Sequence, residues 1–118
     1  MARLYFALDL KDDPALIAEY EHWHRPERIW PDVVAQLSEV RVRELEILRC
    51  GNRLVMVIDT ADAFSAADLA ALSAGRSAQW EDLMWKFQQA LPFAEPGQKW
   101  VPMRRIFSLQ EAREAQRR

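Results

Sequence analysis

Val42-Arg-Glu-Leu-Glu-Ile-Leu-Arg-Cys-Gly-Asn-Arg-Leu-Val-Met-Val-Ile-Asp59 is the stretch on which the fold turns. In its first half Leu45 and Ile47 alternate with Glu44, Glu46 and Leu48, the period of two of a strand with one face packed. Its second half, Leu54–Asp59, is a near-continuous apolar run suited to a buried strand. Cys50-Gly51-Asn52-Arg53 leaves room only for a tight turn, so the two halves form a hairpin.

Working outward toward the N-terminus, Val33, Val34, Leu37 and Val40 recur at helical spacing behind Trp30-Pro31-Asp32. They predict a helix that begins at that tripeptide. An earlier helix is expected from Pro14, with Asp13 as its N-cap and Leu16, Ile17, Tyr20 and Trp23 along one side. Pro26 stops it near Arg25, because a residue before proline avoids the α region. Ahead of that, Leu4, Phe6, Leu8 and Leu10 alternate with Tyr5, Ala7 and Asp9 as a strand.

Toward the C-terminus, Thr60–Gly75 reads as a short helix or helical turns anchored by Phe64, Leu69 and Leu72. Trp80, Leu83, Met84, Phe87 and Leu91 then predict a helix over Ala78–Leu91, closed by Pro92. Residues 93–99 form a loop, Trp100–Leu109 a last strand with Pro102 at an edge or bulge, and Gln110–Arg118 an exposed helix or tail. The order of strands and helices is that of a split βαβ unit, an α+β ferredoxin-like fold with helices over one face of a four-stranded antiparallel sheet. The uncovered face, carrying Tyr5, Glu44, Glu46, Val55 and Val57, is expected to meet a second copy in a dimeric α+β barrel, making the protein a homodimer. Residues 1–109 are read as a single domain and 110–118 as a charged C-terminal tail.

Eighteen acidic against sixteen basic residues give a net charge of −2, so no basic field points to nucleic acid. The single cysteine, Cys50, excludes an internal disulfide and agrees with a reducing compartment. No stretch approaches the ~18–20 apolar residues of a membrane span. The first residues lack the pattern of a signal peptide, and a cytoplasmic location is expected.

Chemistry concentrates at Tyr20–Asp32, which holds both histidines, one tyrosine and two tryptophans. Tyr20 and His24, four residues apart, face the same side of a helix. A histidine exchanges protons near neutral pH, and a tyrosine beside it could bind the same ligand. The alternative is that Tyr20 packs in the core and His24 sits at a helix end favoured by the macrodipole. His22 lies about 200° from His24 around the helix, so the two do not converge on a metal, and no metal centre is expected. Glu44 and Glu46 share a strand face and would bring two carboxylates into a pocket there; otherwise they are rim residues pairing with Arg43 or Arg104. Trp30, Trp80, Trp85 and Trp100 could stack on a flat or sugar-like ligand, although Trp80 fits the apolar stripe of its helix. No GxGxxG, P-loop or GxSxG motif is present, leaving nucleotide cofactors without support.

Several of these pieces together resemble the L-rhamnose mutarotase family: Tyr20-x3-His24, Ile29-Trp-Pro-Asp32, the Gly51-Asn-Arg-Leu54 turn, and Met84-Trp-Lys-Phe-Gln-Gln-Ala-Leu-Pro92. The resemblance runs in order from about Leu4 to Leu109. It implies a cofactor-independent isomerase that interconverts the α and β anomers of a 6-deoxy-L-hexose, on a dimeric α+β barrel. Carried over by position, Tyr20 and His24 match the family's acid/base pair. Trp85 matches one of two tandem tryptophans lining the sugar pocket, with Met84 in place of the other. Two further departures mark this chain: two extra residues separate His24 from Trp30-Pro31, and Glu44 stands where an aromatic is usual. With the Lys99-Trp-Val-Pro-Met103 ending they suggest a distinct branch, one handling L-fucose, with L-rhamnose the other expected sugar. On this reading His24, Tyr20 and Glu44 are catalytic, Trp85, Glu46, Trp30 and Met84 bind a monosaccharide, and no cofactor is used. The competing expectations are a cofactor-free monooxygenase-like enzyme on the same barrel, and a non-catalytic sugar-binding dimer module.

Overall fold

The computed structural model describes residues 2–61, 68 and 78–118. The anchors expected in Thr60–Gly75, namely Phe64, Leu69 and Leu72, lie outside the described residues. Strand β1 (Ala2–Leu10) is the centre of the sheet. Its alternation holds, with Phe6, Leu8 and Leu10 buried on the helix-covered side. Helix α1 (Pro14–Trp23) starts as expected: Asp13 Oδ1 accepts from the backbone N–H of Ala15 at 2.9 Å and of Leu16 at 3.2 Å, with Pro14 in the first turn.

Helix α2 (Pro31–Glu39) follows a turn, and it buries Val33 while Val34 is left 49% exposed. Arg41 leaves α2 at φ 65°, a left-handed conformation that reverses the chain into strand β2 (Val42–Cys50). Strand β3 (Arg53–Thr60) pairs antiparallel with β2, and the two-residue loop Gly51-Asn52 takes positive φ at Gly51. Asn52 ties that loop to the end of β1: its Nδ2 donates to the Leu10 carbonyl and its own carbonyl accepts from Leu10 N–H.

Helix α3 (Ala78–Trp85) ends six residues before the expected stop at Leu91. The chain turns through Lys86-Phe87 and enters strand β4 (Gln88–Gln89), which pairs with Asp9 and Leu10. The tertiary partner decides this. Phe87 and Leu91 are buried as the helical spacing demanded, but they reach the core from a turn and a loop. The last expected strand, Trp100–Leu109, is realised only as β5 (Val101–Pro102), which pairs with Phe6 and Ala7. Residues 103–107 are exposed, and helix α4 (Leu109–Arg117) begins with Ser108 as its N-cap, accepting from Glu111 N–H.

The sheet order is β2-β3-β1-β4 with β5 also on β1, and every pairing is antiparallel. Since β4 and β5 share the same strand as partner, the edge expected of one strand is made of two short pieces. This is the split βαβ sheet, carried as five segments instead of four. Its core lies between sheet and helices: Leu10, Tyr20, Val33, Leu54, Trp80, Met84 and Phe87 pack in one cluster, and Phe6, Met56 and Ile58 in a second. No described helix is long and apolar enough to cross a membrane.

Candidate active site

Between the helices and the inner face of the sheet lies a cavity of about 780 Å³, within the size range of small-molecule sites. Its sheet floor is Phe6, Leu45, Ile47 and Met56, and its helix wall carries Tyr20, His24, Trp80, Met84 and Trp85. The apolar floor follows from the alternation in β1, β2 and β3, which turns Phe6, Leu45, Ile47 and Met56 inward. Polar groups in the lining come from Glu81, Asp82, Gln88, Gln98 and Lys99.

Tyr20 and His24 stack one helical turn apart on α1, ring centroids 4.2 Å apart and tilted by 36°. His24 is the C-cap of α1, and its Nδ1 lies 2.7 Å from the Tyr20 carbonyl. A carbonyl only accepts, so Nδ1 carries the proton and Nε2 of the neutral ring keeps a free lone pair. Trp80 meets the imidazole edge-on at 5.3 Å. Burial lowers the His24 pKa from its ordinary value; the hydrogen bond to the Tyr20 carbonyl and the charge of Glu81 oppose that without overcoming it. The histidine is therefore neutral at pH 7.

Tyr20 is buried at 3% exposure, and Gln88 Nε2 lies 3.4 Å from its hydroxyl. Burial raises the phenol well above its ordinary value; the Gln88 hydrogen bond works against this and the Glu81 charge adds to it. The phenol keeps its proton. A neutral base and a protonated acid thus stand side by side on one wall.

Lys99 reaches in from the loop after β4. Its Nζ donates to Glu81 Oε2 at 2.7 Å and to the Glu81 carbonyl at 2.9 Å, and lies 4.7 Å from the Trp85 ring centroid. With the Lys99 side chain 11% exposed, this is an ion pair largely withdrawn from water.

Of the residues expected in the site, Tyr20, His24, Met84 and Trp85 line one cavity. Glu44 and Glu46 do not. Both are exposed, and Glu44 folds back to accept from Leu45 N–H at 2.9 Å. The alternation that sends Leu45 and Ile47 into the cavity sends the glutamates to the open face of the sheet, away from its lining. Trp30 is set back as well: it packs edge-on against Trp80 at 5.2 Å and is absent from the cavity lining. His22 also stays out of it, as its helical angle required. Sequence reasoning missed Glu81, Gln88 and Lys99, and left Trp80 between core packing and ligand stacking. Trp80 is core, yet one ring edge faces His24. Among the described residues no three His, Cys, Asp or Glu side chains gather as metal ligands do.

A model of the L-rhamnose mutarotase family matches residues 3–109. An L-fucose mutarotase of Xanthomonas campestris pv. campestris is 53% identical over 114 residues, 95% of this chain and 91% of that one. A Dictyostelium discoideum protein is 30% identical over 109 residues, 87% of this chain and 86% of its own. Among solved structures, an L-rhamnose mutarotase from Formosa agariphila superposes with TM-score 0.68 at 21% identity, covering 92% of this chain and 99% of that one. The tetracenomycin F2 cyclase of Streptomyces glaucescens, a type-II polyketide cyclase, shares the fold at TM-score 0.54 and 15% identity, covering 92% of this chain and 98% of that one. At those identities the two structures speak for the fold alone. The match over residues 3–109, with a relative of more than half identity, shows that the chain belongs to the L-rhamnose mutarotase family.

Proposed function

We propose that this enzyme is a cytoplasmic mutarotase that interconverts the α and β anomers of L-fucose, with L-rhamnose as the next candidate. The observation that carries the reading is the neutral His24 stacked against the protonated Tyr20 on the wall of a sugar-sized cavity. The 53% identity to an L-fucose mutarotase favours that sugar.

Ring opening needs one proton removed and one supplied. His24 Nε2 takes the proton of the anomeric hydroxyl, the C1–O5 bond breaks, and Tyr20 donates its phenolic proton to O5. The open-chain aldehyde turns about C1–C2, and closure on the other face runs the two transfers backward. Gln88 Nε2, hydrogen-bonded to the Tyr20 oxygen, shares the charge left there during the transfer. The Glu81 carboxylate favours the imidazolium that His24 becomes. Met84 and Trp85 form the wall on which the sugar rests, the aromatic face meeting its C–H groups. Positioned acid–base groups contribute about 10²–10⁴-fold each, enough to raise a spontaneous reaction usefully.

The test is saturation-transfer NMR of L-fucose and L-rhamnose, following exchange between their anomeric protons. Acceleration over buffer is expected; none for either sugar would refute the assignment. The exposed residues of the open face and C-terminal segment, Tyr5, Leu48, Ile106 and Phe107, support a homodimer closed across the sheets. Light scattering at micromolar concentration should return twice the 13.8 kDa chain mass, and a monomer there would rule that assembly out.

A further inference from the structure

The cavity holds a polar atom that the reaction just described does not use. Gln88 is only 4% exposed, lines the cavity from β4, and places Nε2 3.4 Å from the Tyr20 hydroxyl. Its other head atom, Oε1, is buried with no hydrogen-bond partner among the described residues. Buried amide oxygens are seldom left so, because the lost hydration goes uncompensated. A longer aliphatic residue could occupy the same position without that penalty.

The chemistry of the pair indicates what completes it. With Nε2 on the Tyr20 hydroxyl and the Tyr20 proton directed to O5, the group left over is an acceptor, Gln88 Oε1. A hydroxyl group can donate to it; a C–H, a ketone or a carboxylate cannot.

We propose that Gln88 is a specificity-determining residue, whose amide binds a ring hydroxyl of the sugar beside Tyr20. The inference rests on the mutarotase reading and names a residue that selects the substrate within it. L-Fucose and L-rhamnose have opposite configurations at C2 and C4, so a fixed amide meets a hydroxyl of one sugar and a C–H of the other at the same point. A site built to pair with a hydroxyl rejects the isomer that leaves its polar group unpaired.

Gln88→Met removes the amide at nearly constant volume, with Gln88→Leu as the second variant. Anomeric exchange of both sugars gives kcat/KM, and thermal unfolding reports the fold. The proposal expects kcat/KM for the preferred sugar to fall about 10–100-fold, with a smaller fall for the other, so that the preference narrows. It also expects Tm to change little, since the unpartnered oxygen and the hydrogen bond to the Tyr20 hydroxyl are lost together. Equal kcat/KM in wild type and variant would overturn it. So would an equal fall for both sugars at any Tm, which is the signature of an amide that only supports Tyr20 or the fold, or failure of both variants to fold. Wild type that exchanges neither sugar would refute the mutarotase assignment itself, an outcome distinct from these.

Discussion

The protonation state of His24 offers the sharpest test, because burial and base catalysis make linked demands on one ring. The perturbation is pH. A histidine at its ordinary value near 6.5 would be about half neutral at that pH. Burial lowers the value here, so more than half of the ring stays neutral, and kcat/KM at pH 6.5 should exceed half of its alkaline plateau. Below the midpoint the rate should fall about tenfold per pH unit, as expected when one proton blocks the base. His24→Asn keeps a donor where Nδ1 meets the Tyr20 carbonyl and lacks Nε2. It should lower kcat/KM by about 10²–10⁴-fold, or about 2.7–5.4 kcal/mol at ~1.36 kcal/mol per decade, and abolish the acid limb.

Stability carries the same sign. The folded state holds its histidine proton more weakly than the unfolded chain, so between about pH 6.5 and the lowered folded value the unfolded state binds more protons. His24 therefore costs nothing above pH 6.5 and destabilises the fold as pH falls through that window, a slope His24→Asn should remove. The assay is anomeric exchange by NMR across pH 4.5–8, with urea melts at matching pH. A midpoint at or above about 6.5 would refute the burial argument, and an unchanged acid limb in His24→Asn would refute the base.

Tyr20→Phe removes the phenolic proton and the oxygen that Gln88 meets; kcat should drop about 100-fold in the exchange assay, with only about 1 kcal/mol lost in urea melts. Glu44→Gln with Glu46→Gln changes two exposed carboxylates on the far face of the sheet, so kcat/KM should stay within about twofold of wild type; a hundredfold loss would mean that the carboxylates reach the sugar after all. Arg41→Gly relieves a left-handed backbone at the end of α2 and should stabilise the fold by about 0.5–1 kcal/mol in urea melts, whereas a destabilised variant would show that the Arg41 side chain matters more than its φ.

Punctuation by glycine and proline made much of the fold legible. Gly51-Asn52 marked the hairpin, Pro14 and Pro31 marked helix starts, and the alternation in Leu4–Leu10 marked the central strand. The second half of the chain resisted, because Phe87 and Leu91 fit helical spacing and Pro92 supplied a plausible stop. Only the pairing of Gln88 with Leu10, seventy-eight residues away in sequence, ends the helix at Trp85. The same misreading hid Gln88, which on a continuous helix would have been one more polar surface residue. Lys99 was invisible for a different reason: loops have no period, and its partner Glu81 is set by three-dimensional proximity. Glu44 and Glu46 alternate with Leu45 and Ile47 as the spacing demands, but spacing does not say which face of the sheet carries the cavity; it lies under the helices, and the glutamates stand on the other side.

The hydrogen bond that commits His24 Nδ1 to the Tyr20 carbonyl leaves the imidazole a single working nitrogen. Many enzymes that pass protons onward need both, one to receive and one to release. Mutarotation is degenerate: opening and closing are the same event run in opposite directions, and substrate and product differ only in which face of C1 was closed. The proton that Nε2 accepts is the proton it gives back, so the catalyst finishes each turnover in its starting state with no relay to solvent. Such a one-sided imidazole hastens both directions alike and leaves the anomeric ratio where the free sugar sets it.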